Sequence, residues 1–213
     1  MNPAEPKAQL AHGLVDMGVD LPLARREKLL AYLALLYKWN RAYRLTALRE
    51  GDEAVSHHLL DSLSILPFVP DGRLLDVGSG GGAPGIPLAI ARPDLPVTLL
   101  DSASKKTAFL LQAVIELDLE NVSVHGGRVE QYHPAIGFTA IVSRAFAGLD
   151  DFVALSRHLL AADGIWLAMK GSWPRDEIAR LPGAARVEAV RPLAVPGIDG
   201  KRHLVVMRHA VAA

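Results

Sequence analysis

The 213-residue chain contains no cysteine. That absence excludes a disulfide scaffold, cysteine-ligated zinc, an iron–sulfur site and a cysteine nucleophile. It permits a reducing compartment without requiring one. Net charge is also missing, since 23 basic residues balance 23 acidic ones. A protein that coats nucleic acid through bulk charge is therefore disfavoured, although a local basic surface would vanish in the same average. No apolar run approaches the roughly 18 residues of a membrane helix. The first ten residues are polar and lack the apolar stretch of a signal peptide. We expect a soluble, cytoplasmic protein with no membrane partner. Internal repeats and low-complexity tracts are absent too. What is present is a hydrophobic half of the composition, enough for a sizeable core, in a length that suits one domain.

Residues 5–66 read as helical. Pro22 suits the first turn of a helix, and Leu29, Leu33 and Leu36 share one face, with Leu30 and Tyr37 beside it. The pattern from His57 stops at Pro67, and Asp71-Gly72 signals a turn. From Arg73 onward strands alternate with helices. Strands are expected at 73–77, 97–101, 122–125, 138–143 and 165–170. Helices are expected at 84–92, 104–118, 149–160 and 175–181, with Ser104 as an N-cap. Two closing strands, 186–193 and 204–208, flank a turn at 195–200 with no helix between them. The alternation implies a mostly parallel α/β sheet covered on both faces, and the last two strands should pair antiparallel. Residues 1–70 then form a helical cap on a body spanning 71–213.

The stretch from Leu74 to Gly85 runs strand, glycine-rich turn, helix. Glycines let a backbone turn tightly and approach a ligand closely, and ligands of such sheets sit outside the C-terminal strand ends. Asp101 ends the next strand, 23 residues after Gly78, where a carboxylate can accept hydrogen bonds from a ribose diol. Two ligand patterns fit. Gly80 to Gly85 matches the G-x-G-x-x-G of dinucleotide sites, and Gly78 to Gly82 matches the G-x-G-x-G of S-adenosylmethionine-dependent methyltransferases. Register favours the second. Gly78 follows the strand at once, Asp76 supplies the acid before the loop, and the antiparallel closing pair fits a methyltransferase sheet. A nicotinamide-dependent oxidoreductase stays open as the alternative, as does a non-catalytic RNA-binding module with a residual nucleotide pocket.

More specific stretches lie outside the loop. Lys38 to Thr46, His58 to Ser62, Leu100 to Ser102, Ser143-Arg144-Ala145-Phe146, Ala168 to Gly171 and the segment from Pro196 to Val206 together resemble the bacterial ribosomal RNA small-subunit methyltransferase G family, also called glucose-inhibited division protein B. The resemblance covers nearly the whole chain. It implies a class I S-adenosylmethionine-dependent methyltransferase fold, Rossmann-like, with S-adenosylmethionine as cofactor. It also implies N7 methylation of one guanine in 16S rRNA of the small ribosomal subunit. By matching position, the cofactor contacts fall on Gly78, Ala83, Val129, Glu130 and Arg144, with Gly80 of the same loop and Asp101 added on physical grounds. The chain departs from the family pattern at Gly81, Ala83, Arg44 and Gly148. Alanine, a larger apolar residue, asparagine and serine respectively are common there.

Guanine N7 is a lone-pair nucleophile and needs no deprotonation, so catalysis can rest on positioning and electrostatics. This suits a chain without cysteine, since pyrimidine C5 methylation commonly uses a cysteine adduct. Adenine N6 methylation usually carries an Asn/Asp-Pro-Pro-aromatic motif, and Ser143-Arg144-Ala145-Phe146 stands there instead. Arg144 is the expected positioning residue, and we name no general base. Between Pro22 and Arg49 seven basic residues face a single acid, Glu27. Arg25, Arg26, Lys38 and Arg41 from this stripe, with Lys170, Lys201 and Arg202, are the RNA-binding candidates. The stripe's aromatics, Tyr32, Tyr37, Tyr43 and Trp39, are expected to lie buried beneath it. His57-His58 lacks a third ligand, so no metal is expected. His58 and Asp61 are expected to fix the cap to the body. The protein is expected to act as a monomer.

Overall fold

Leu74–Val77 (β1) and Val97–Asp101 (β2) are buried at every position, the mark of strands covered on both faces. The computed structural model describes residues 4–46, 51, 53–144, 146 and 148–210. It places these strands in a seven-stranded sheet with β3 (Val122–Gly126), β4 (Phe138–Ser143), β5 (Leu160–Lys170), β6 (Ala185–Leu193) and β7 (Arg202–His209). The order is β3-β2-β1-β4-β5-β7-β6. The first five strands are parallel, and β7 runs antiparallel to both β5 and β6. The order reverses between β1 and β4, which opens a crevice beyond their C-terminal ends. Ser143 Oγ donates to the Val77 carbonyl at 2.9 Å and ties those two ends together.

The helices are α1 (Ala4–Asp16), α2 (Leu23–Tyr43), α3 (Asp61–Leu63, entered through a π-helical turn at Val55–Leu60), α4 (Gly85–Ala91), α5 (Ser104–Glu116), α6 (Leu149–Ser156) and α7 (Arg175–Ala179). The cap and the body share one core. Leu10, Leu29, Leu36 and Leu60 belong to the same buried cluster as Leu74, Leu99 and Leu167. Every residue of α4 is buried. Among the described residues no helix is long and apolar enough to cross a membrane.

Several boundaries differ from the sequence reading. Strand β5 begins at Leu160, five residues before the expected Ile165. Ala161-Ala162-Asp163-Gly164 shows no apolar alternation, and the chain is extended there through an irregular pairing with β4, where the register shifts between Phe138 and Ala140. Ser104 is not the N-cap of α5. Ala103 holds that position, and Asp101 Oδ1 accepts the Ala103 N–H at 2.9 Å. Pro22 and Pro84 each lie one position before their helices. The expected continuous helicity of 5–66 is interrupted at 17–22 and after Tyr43.

Two departures from the family pattern have local consequences. Arg44 ends α2 in the left-handed region, at φ 52° and ψ 57°. A side chain with Cβ pays about 1–2 kcal/mol there, while asparagine and glycine tolerate it. Arg44→Asn is therefore expected to raise stability by about 0.5–1 kcal/mol in urea titrations. A lower midpoint would show that the arginine side chain stabilises more than its backbone costs. Gly148 is the N-cap of α6 and has no side chain to cap it. Glu177 Oε2 takes over from α7, accepting the Leu149 N–H at 3.0 Å. A carboxylate at a helix N-terminus is favoured by the helix dipole.

Candidate active site

The glycine loop after β1 is held by its neighbours from below. Gly78 and Ser79 N–H both donate to the Leu100 carbonyl, at 2.8 and 3.0 Å. Ser79 Oγ donates to the Asp76 carbonyl and accepts the Leu100 N–H at 3.0 Å. Asp101 Oδ2 accepts the Gly80 N–H at 2.9 Å. From above, Tyr32 of α2 donates its hydroxyl to the Gly81 carbonyl at 2.6 Å. The loop is thus a fixed frame. Gly78 and Gly80 have φ of 72° and 56°. Among the described residues, a Cβ at Gly78 would meet no protein atom within 4 Å, and one at Gly80 only the Gly78 carbonyl at 3.7 Å. The backbone therefore presents open space at the strand ends, where a nucleoside ligand of such a sheet lies. Gly85 is the opposite case. Its Cβ would overlap Leu99 and stand 2.7 Å from Asp76 Oδ2. It serves close packing of α4 on β1 and β2.

Asp76 and Asp101 divide the work below the loop. Asp76 is fully enclosed, Oδ2 accepts the Gly85 N–H at 2.9 Å, and Oδ1 has no hydrogen-bond partner among the described residues. Burial pushes its carboxyl up to about 7, against the pull of the Gly85 N–H and the Arg144 charge. Asp101 is nearly buried, and both its oxygens accept backbone N–H groups, with Lys106 Nζ 3.5 Å away. Its demonstrated work is to clamp the loop to β2. Any ribose hydroxyl would use its remaining lone pairs.

Across the crevice, Arg144 follows β4. Its Nη1 donates to the His57 carbonyl at 2.8 Å and lies 3.5 Å from Asp61 Oδ2. Asp61 Oδ1 lies 3.3 Å from Arg202 Nε, an ion pair without the alignment of a hydrogen bond. One buried carboxylate on α3 therefore faces two guanidinium groups from the body. Burial pushes Asp61 up, and Arg144 and Arg202 pull it back. The expectation that Asp61 joins cap to body describes this contact. His58 does not act with it through hydrogen bonds: it is buried, neither ring nitrogen has a hydrogen-bond partner among the described residues, and it packs edge-on to Tyr37. Burial, with the Arg144 and His57 charges, lowers it to about 3.

Asp76 and His58 make opposite contributions to pH-dependent stability. The folded state holds the Asp76 proton more tightly than the unfolded state does, so that contribution is full below about pH 4 and is lost as pH rises through about 7. His58 contributes stability above about pH 6.5 that is lost as pH falls toward 3. Asp76→Asn keeps an acceptor for Gly85 and removes the charge. We expect its unfolding free energy from urea titrations to gain on the wild type progressively between pH 5 and pH 8, by a few kcal/mol in all. A difference that stays constant across that range would refute the shift.

The remaining candidates separate by position. Val129 is buried and Glu130 exposed in a short turn after β3, on the same strand-end edge. Ala83 is buried in the loop itself. Lys170 ends β5 and is committed to Glu177 at 2.7 Å. Lys201 is exposed beside Arg202. Lys38 and Arg41 are exposed on the C-terminal half of α2, from which Leu36 packs beside Gly81 of the loop. Arg25 and Arg26, both partly exposed, also make contacts within the protein. Arg25 donates to the Ala91 carbonyl at 2.8 Å, Arg26 donates to the Leu21 carbonyl at 2.6 Å, and Lys28 reaches the Asp118 carbonyl. Arg25 and Lys28 border a cleft with Pro93 and Asn121, at the edge where strands begin. The basic stripe thus bends around the molecule, and its first half docks α2 at the edge opposite the glycine loop. Tyr32 and Tyr37 are buried as expected, whereas Tyr43 is half exposed. Arg49 and Ala145 lie outside the described residues. The sequence reading missed Glu177 and the convergence of Asp61 on two arginines.

Comparison with known proteins bears on this geometry. A family model described as rRNA small subunit methyltransferase G matches residues 25–205. A protein of Chromobacterium violaceum named ribosomal RNA small subunit methyltransferase G is 56% identical over 201 residues, covering 94% of this chain and 96% of that one. A protein of the same name from Methylobacillus flagellatus is 52% identical over 199 residues, covering 93% and 96%. Among solved structures, a putative O-methyltransferase from Klebsiella pneumoniae superposes with a TM-score of 0.57 at 12% identity, over 84% of this chain and 90% of that one. At that identity the likeness speaks to the fold alone.

Proposed function

The chain belongs to the rRNA small subunit methyltransferase G family, and from that premise and the geometry of the crevice we infer that it methylates N7 of one guanine. It is an S-adenosylmethionine-dependent methyltransferase of 16S rRNA. The observation that carries the reading is the open, rigid cradle at Gly78 and Gly80 facing Arg144 across the β1/β4 crevice.

The residues present suit the cofactor. Gly78 and Gly80 leave room for it against the backbone, Ala83, Val129 and Glu130 border the same edge, and Asp101 holds the loop in place. When bound, S-adenosylmethionine supplies a methyl group already activated by its sulfonium. The protein's own task is to align guanine N7 with that carbon and to keep water out. Arg144 is suited to hold the base through O6. A donor placed on N7 would consume the lone pair that must attack. Its anchors, the His57 carbonyl and Asp61, keep the guanidinium from wandering. Since N7 attack requires no proton removal and no Lewis acid, the reading needs neither a general base nor a metal. Lys38, Arg41, Lys170, Lys201 and Arg202 are the proposed RNA contacts, and the enzyme acts as a monomer in the cytoplasm on 16S rRNA or the small subunit.

Calorimetric titration tests the cofactor half of this account. S-adenosylmethionine should bind and NAD should not. Binding of NAD alone would return the glycine loop to a dinucleotide role.

A further inference from the structure

The chain has three tryptophans, and packing explains two of them. Trp166 is fully buried, with its indole N–H donated to Ser156 Oγ at 2.9 Å. Trp39 is partly buried against Phe109 and Tyr43. Trp173 is different. It is 49% exposed, in the segment that leaves the C-terminal end of β5. Its ring stands edge-to-face with His203, centroids 5.5 Å apart and planes at 84°. His203 pairs with Lys170 across β5 and β7. Together with Arg144, Lys170, Gly171 and Arg202, it lines a cavity of about 160 Å³ at the crevice. An indole is therefore held in a set orientation at the rim of a pocket lined by three cationic side chains.

Resting on the reading of the protein as an rRNA methyltransferase, we propose that Trp173 is a stacking platform for an unpaired base of the RNA substrate beside the target nucleotide. The charges carry the choice of partner. Arg144, Lys170 and Arg202 at the pocket, with the exposed Lys201 next to Arg202 in the chain, outnumber the acids that pair with them among the described residues, Asp61 and Glu177. Phosphates are drawn to that side, and an exposed aromatic among phosphate-binding cations offers a flat face to a base of any sequence. Reaching a guanine inside a folded RNA also leaves neighbouring bases unstacked, and each of these gains from a new surface.

The test compares three variants with the wild type. Trp173→Ala and Trp173→Leu are expected to raise KM for 16S rRNA by about 5- to 150-fold, with kcat changed much less. Trp173→Phe, which keeps a flat ring, should stay within a few-fold of wild type. Leucine keeps apolar bulk without the flat face, so it separates stacking from simple packing on His203. All variants should bind S-adenosylmethionine as the wild type does, which verifies the fold. In a Trp39→Phe background, which removes the indole between Lys38 and Arg41, quenching of indole fluorescence by a single-stranded RNA oligonucleotide should be strong and largely lost on adding Trp173→Phe. A Trp173→Leu KM equal to wild type, or quenching that survives Trp173→Phe in that background, overturns the stacking role while the methyltransferase reading stands. A wild-type protein that transfers no methyl group to rRNA overturns both.

Discussion

Arg144→Lys is expected to leave the protein folded and to lower methyl transfer to rRNA by about a hundredfold or more. Lysine keeps a positive charge for Asp61 but has no planar fork. It cannot hold the His57 carbonyl and also present an aligned N–H to the crevice. Arg144→Ala should lose at least as much activity and some stability too, because Asp61 would keep only the unaligned Arg202 as a partner. Leaving a buried carboxylate short of a partner typically costs a few kcal/mol, which is why lysine is the sharper substitution. The informative readout is the ratio of activity to cofactor affinity in the folded variant. Full activity in Arg144→Lys would remove Arg144 from the site and leave it as a brace between the cap and the body.

The second large effect concerns the cradle. Gly78→Ala should weaken S-adenosylmethionine binding by at least about tenfold, or 1.4 kcal/mol. Packing among the described residues does not oppose the substitution, since a Cβ there meets none of their atoms within 4 Å. The backbone cost of a left-handed alanine is about 1–2 kcal/mol, so the variant should fold with a modestly lower midpoint. Gly85→Ala should do the reverse. Its Cβ would overlap Leu99 and crowd Asp76 in the core, so stability should fall first, by about 1–3 kcal/mol or more. Cofactor titration and urea unfolding of the two variants would separate a glycine that makes room for a ligand from one that makes room for a helix. Wild-type cofactor affinity in Gly78→Ala would mean that the open space at the loop is not where the cofactor lies.

Much of this arrangement was legible from local chemistry. A buried strand, a glycine run and a helix can be read where one backbone ladder or one face decides them, and β1, the loop and β2 are such cases. The antiparallel closing pair followed from the absence of a helix between β6 and β7. The misreadings share a different cause. Ser104 looks like a cap, but the helix begins at it: Ala103 is the N-cap, fixed by the hydrogen bond its own N–H gives to Asp101. The early part of β5 has no apolar pattern, and pairing with β4 holds it. For Arg25 and Arg26, a charge count cannot reveal that carbonyls at 91 and 21 also receive them. Asp61 meeting Arg144 and Arg202, and Glu177 capping α6, join residues far apart in sequence. No local signal encodes such meetings, and the candidate site depends on them. Trp173 was silent for the same reason, since its value lies in what stands beside it.

The most direct measurement is methyl transfer from tritiated S-adenosylmethionine to small ribosomal subunits, and to 16S rRNA extracted from them, taken from a strain lacking this enzyme. Borohydride reduction and aniline cleavage then map the label. The account predicts about one methyl group per RNA, with chain scission at a single guanine, as 7-methylguanine chemistry requires. Label on another base, label on guanine without scission, or no transfer to either substrate would contradict it.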